Sequence, residues 1–183
     1  MRFHVSCSFP ASLIILLSSL SGCASSPGVS DQLLSSEYHV SQSTFFRYRP
    51  PKGWLDATAE MQAVSGHIWL VSQDYVASIM LREVSLNEQA KQLLKEEGML
   101  SVARLIMSLE SNQGTDNPAS VKLGRTTFWT FQIPSPSGDA FYVALFEAEN
   151  RCFEVRAGTR NEAGTSLQNL SATQLAFLSS LRW

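Results

Sequence analysis

The chain has 183 residues, 44% of them hydrophobic and 16% charged, with 14 basic against 16 acidic side chains and a formal net charge of −2. That suits one globular domain, is too apolar for a disordered tail, and leaves no basic excess to hold nucleic acid. Three cysteines, Cys7, Cys23 and Cys152, are too few for a disulfide-built scaffold. In chain order, residues 1–22 read as an export signal. Arg2 is its only charge, Phe9–Leu20 is a short apolar stretch centred on Leu13–Leu17, and small residues follow. The stretch falls well short of the ~20 apolar residues that span a bilayer.

Leu20-Ser21-Gly22-Cys23 resembles the lipobox of bacterial lipoproteins. The resemblance implies cleavage before Cys23, lipid on its thiol and acylation of the new amine. Ala24, rather than Asp, after the cysteine then implies the outer membrane, with the chain facing the periplasm. Cys7 leaves with the signal, and Cys152 remains as the lone free thiol. Its strand context fits a small buried hydrophobe better than a nucleophile. Residues 23–43 read as the lipidated cysteine and a flexible tether, rich in serine with Pro27-Gly28.

The domain is expected over residues 44–183. Phe45–Arg49 forms a short aromatic strand stopped by Pro50-Pro51, and Met61–Val64 forms another. His67–Ser72 and Val76–Val84 are strands joined through Gln73-Asp74, the second apolar on both faces and so central. Ser85-Leu86-Asn87-Glu88 matches a capping box, opening a helix to about Leu109 with a break at Gly98. Asn112–Pro118 is a loop. Three strands follow: a long one with Val121, Leu123, Thr127, Trp129, Phe131 and Ile133 on one face, then Phe141–Phe146, then Cys152–Ala157 after a tight Glu149-Asn150 turn. A second capping box, Ser171 with Gln174, opens a final helix that presents Leu175, Leu178 and Leu181. The fold class is therefore α+β: a mostly antiparallel sheet covered by helices on both faces.

Phe45–Trp54, an aromatic strand followed by Pro-Pro-Lys-Gly-Trp, resembles the opening of PsbP-like domains. That family includes PsbP itself, the Ran-binding import factor Mog and lipoproteins of the DcrB type. The element order and the closing helix are similar too. The resemblance implies a helix–sheet–helix sandwich and a non-catalytic module that binds or helps assemble proteins. It carries no catalytic residues onto this chain.

The sequence offers no P-loop, nucleophile elbow or zinc-ligand spacing, and so no catalytic residue, metal site or cofactor is assigned. His67 reads as a strand-edge residue, and Glu147 with Glu149 as an exposed hairpin end. One stretch is a candidate for partner binding: Arg47, Arg49 and Lys52 without an acid among them, beside Tyr48 and Trp54. Such cations also guard an edge strand against sheet-to-sheet pairing, which is the more ordinary role. If one surface holds a partner, it is this one. Two functions follow: a membrane-anchored, non-catalytic module holding an envelope protein, or alternatively an envelope hydrolase whose site the sequence does not display.

Overall fold

A computed structural model describes residues 31–41, 45–61, 67–110, 117–134, 140–159 and 167–183. The signal segment, Cys23 and residues 24–30 of the expected tether lie outside them, as does most of the expected strand Met61–Val64. Met61 itself closes a 3-10 turn, Thr58–Met61.

Among the described residues, a seven-stranded antiparallel sheet dominates. Its strands are β3 (Trp54–Asp56), β4 (Ile68–Ser72), β5 (Ala77–Glu83), β6 (Ala119–Leu123), β7 (Thr126–Pro134), β8 (Ala140–Ala148) and β9 (Arg151–Thr159), in the order β3-β4-β5-β9-β8-β7-β6. A small ribbon pairs β1 (His39–Val40) with β2 (Arg47–Tyr48). The helices are α1 (Glu88–Glu97), α2 (Met99–Glu110) and α3 (Leu167–Ser180). The expected α+β class is the observed one, with helices on both faces of an antiparallel sheet.

Strand parity divides the interior into two cores. Ile79 and Leu81 of β5, Ala144 and Phe146 of β8, and Phe153 and Val155 of β9 face α3 and meet Leu170, Phe177, Leu178 and Leu181. Val143, Leu145 and Cys152 face the other way, with Trp129, Phe131 and Ile133, and meet Met99, Val102, Ala103 and Met107 of α2. β5 is central, paired with β4 and β9, as its doubly apolar pattern requires. Glu149 and Asn150 both take positive φ, 50° and 59°, which makes the tight β8–β9 turn.

Four expectations change. The long strand is two: Gly124-Arg125 turns β6 into β7, with Leu123 opposite Thr126 and φ of 62° at Gly124. Paired residues share a face, so Leu123 joins Phe128 in the α3 core while Trp129 joins the α2 core. Ser85 does not cap α1. The Val84 N–H still bonds the Cys152 carbonyl, holding the chain in the sheet, and Asn87 Oδ1 accepts from the Ala90 N–H instead. Gly98, at φ 81°, ends α1 as expected. Ser171 lies inside α3, and Gln174 is buried, donating to the Tyr142 and Val155 carbonyls at 2.9 and 3.0 Å. Finally, residues 31–41 are no free tether. Leu34 is 1% exposed, and the segment is hydrogen-bonded antiparallel to residues 46–52.

Candidate functional site

The five sequence candidates do not form one exposed patch. Tyr48 is buried, its hydroxyl bonded to the Asp56 carboxylate and its ring against Phe177. Burial, reinforced by Asp56, pushes its phenol well above the ordinary value. Burial alone would raise the Asp56 carboxyl, but hydrogen bonds from Thr58, Tyr48 and His39 outweigh it and hold the group below its usual range. Arg49 is a structural clamp. Its Nε donates to the Ser35 carbonyl at 2.6 Å, a guanidinium N–H to Asp31 Oδ1 at 2.8 Å, and its backbone N–H to Ser180 Oγ at 3.0 Å. Trp54 is half-buried against the α3 core, and Lys52 is exposed at the turn. Tyr48 and Arg49 are thus corrected from surface contacts to internal ones. The period of two that places Arg47 and Arg49 on one strand side does not reveal what that side touches.

Arg47 remains exposed, and the fold gives it new neighbours. Its N–H donates to the Arg182 carbonyl and its carbonyl accepts from the Arg182 N–H, both at 2.9 Å. Val40 pairs with Arg47 on the other side. Since paired residues share a face, Val40, Arg47 and Arg182 form one outward stripe. The Arg47 guanidinium carbon sits 5.5 Å from the Tyr38 ring centre, within cation–π range. Val40, Tyr38 and Trp183 are 65%, 41% and 42% exposed. Trp183 is also held from behind, its ring centre 5.7 Å from Phe46 and 5.5 Å from Phe146. It forms one wall of an open cleft of about 1120 Å³ with Leu178, Leu181, Leu123 and Phe128, rimmed by Lys122 and Arg125. α3 packs on β9, and the cleft opens beside the C-terminal turn of α3. Sequence reading missed Tyr38 and Val40, which meet Arg47 through the β1–β2 pairing, and Arg182 and Trp183, which only the bridge from Arg47 to Arg182 brings there.

The side chains most suited to chemistry have other tasks. Cys152 is buried beside Met99, with Sγ 3.9 Å from the Met99 sulfur. Burial, then Glu154, Glu147 and Glu83, push its thiol up to about 12. Glu154, 1% exposed, accepts from Arg82 at 2.8 Å and from Arg156 at 2.6 Å, and Arg156 reaches on to Glu110 at 2.7 Å. His67 Nε2 stands 3.8 Å from Glu83, which also accepts from Arg151 at 2.9 Å. Burial lowers the His67 pKa, and Glu83 only partly offsets it.

No family model and no curated protein matches the sequence. Among solved structures, the chain is similar to cyanobacterial PsbP (CyanoP) from Synechocystis sp. PCC 6803, at 11% identity and a TM-score of 0.49, covering 87% of this chain and 98% of that one. A likeness at that identity concerns fold and not function.

Proposed function

We propose that the chain is a lipid-anchored envelope protein whose domain holds a protein partner without turning it over. In this reading Cys23 carries the anchor, at the outer membrane, and the domain projects into the periplasm. The carrying observation is the outward stripe of Val40, Arg47 and Arg182 with the Tyr38 ring against Arg47, while Trp183 is exposed at the adjoining cleft. Exposed aromatics beside arginines are the composition of binding surfaces, where Arg, Tyr and Trp carry much of the energy. With two arginines in the stripe, the partner segment is acidic. The non-catalytic half of the reading is supported by the reactive side chains: a core thiol held protonated, and carboxylates occupied by arginines or a tyrosine.

The test is crosslinking in native envelope followed by mass spectrometry, on the wild type and on Arg47→Glu with Tyr38→Ala. Arg47 is chosen because its guanidinium lies on the Tyr38 ring, whereas Arg49 clamps the fold. The double variant is expected to fold and to lose a partner whose capture weakens with salt. Retention of every crosslinked partner would remove this surface from the account. Hydrolysis of an envelope component by purified protein, abolished by one substitution, would overturn the non-catalytic reading.

A further inference from the structure

We infer that the end of the domain bearing Leu33 and Lys52 is its membrane-facing pole, held against lipid headgroups by a docked N-terminal strap. The inference rests on the lipid anchor at Cys23 proposed above. The strap begins at Asp31, where the Arg49 guanidinium grips the Asp31 carboxylate at 2.8 Å and the Ser35 carbonyl at 2.6 Å. Leu34 is buried at 1% exposure, and the Leu33 carbonyl accepts from the Lys52 N–H at 2.9 Å. Only eight residue steps separate Cys23 from Asp31. Covalent geometry limits them to about 28 Å fully extended, against about 70 Å had the tether run to residue 43. The anchor therefore enters the domain at one defined point, and that point stays near the bilayer. Its exposed neighbours suit an interface: Leu33 is 38% exposed, and Lys52 supplies a cation for anionic headgroups. From there the strap runs antiparallel along residues 46–52 to Val40 and Arg47. Bilayer and protein partner thus occupy opposite ends of one ribbon.

The test uses the full, processed chain in vesicles carrying a headgroup-attached quencher. A fluorophore is placed at Leu33→Cys, Lys52→Cys or Leu109→Cys, each in a Cys152→Ala background. Leu109, on α2, is 75% exposed on the other side of the sheet. Quenching at 33 and 52 is expected to exceed that at 109 several-fold. Arg49→Gln, or Leu34→Ala if that variant does not fold, is expected to draw the ratio between 52 and 109 toward one. Mass spectrometry of the Cys23 peptide separates the two ideas. If the acyl chains are present and 52 is quenched no more than 109, or if the folded variant leaves the ratio unchanged, the strap inference is overturned alone. If the acyl chains are absent, the anchor reading falls and takes the inference with it.

Discussion

The two faces of the sheet solve burial differently. The α3 face is an aromatic core in which Phe46, Phe128, Phe146, Phe153 and Phe177 are all essentially unexposed, with Phe46 edge-on to Phe153 at 4.9 Å. The α2 face is smaller and more aliphatic, and α2 packs over β7 and β8. On its β5–β9 side the ladder Arg82–Glu154–Arg156–Glu110 fills the space instead. Helix placement decides the difference. Where a helix lies across the strands, alternation delivers apolar side chains to it. Where none does, long arginines cover the sheet with their stems and neutralise one buried carboxylate.

The aromatic core is the more sensitive of the two to truncation. Phe153→Ala is expected to cost about 4 kcal/mol, since a large buried ring leaves a cavity that its neighbours cannot fill. Met107→Ala, at the 9%-exposed margin of the other core, is expected to cost about 2 kcal/mol. Urea unfolding of both variants checks the ranking, and equal costs would mean that the two faces are packed alike.

The arginine–glutamate ladder responds to substitution differently from either core. Arg156→Met leaves Glu154 with Arg82 alone and cuts the link to Glu110, at an expected cost of about 2 kcal/mol. Adding Arg82→Met and Glu154→Leu removes the buried charge altogether and is expected to recover most of that loss. A triple variant less stable than the single one would show that the ladder itself stabilises the fold.

The smallest effect is a pH dependence at the edge of the aromatic face, where the His67 ring centre is 6.1 Å from that of Phe153. The folded His67 pKa lies below its ordinary 6.5. The unfolded chain therefore binds the proton more readily. The contribution is fully present above about pH 6.5 and is lost as the pH falls toward the folded value. Melting temperature is expected to drop between pH 7.5 and 5.5 by less in His67→Gln than in the wild type. An identical drop would show that His67 plays no part in it.

Features that depend on a few adjacent residues were legible in the sequence. Glu149-Asn150 announced its turn because asparagine tolerates the left-handed backbone that a two-residue hairpin needs. Gly98 announced its break for a related reason, and β5 declared itself central by being apolar on both faces. The Gly124-Arg125 turn escaped because hydrophobic alternation looks much the same on either side of it, and only the pairing of Leu123 with Thr126 reveals the reversal. Both capping boxes failed because a better partner was nearby: the sheet for Val84, and the β8 and β9 carbonyls for Gln174.

Side-chain period and local turn chemistry were enough for most of the strands, the antiparallel character of the sheet and the helices on either face, whereas the order of the strands, with β5 beside β9, came from the fold. The roles of residues 31–41 and of Arg47 emerge only in the folded chain. Residues 31–41 look like a linker because their composition is polar, yet Leu34 and the Arg49–Asp31 pair dock them. Arg47 looks like one of three neighbouring cations, yet its partners in the fold are Val40 and Arg182. Contacts between residues far apart in the chain leave no periodic trace, so only the folded backbone brings such a surface together.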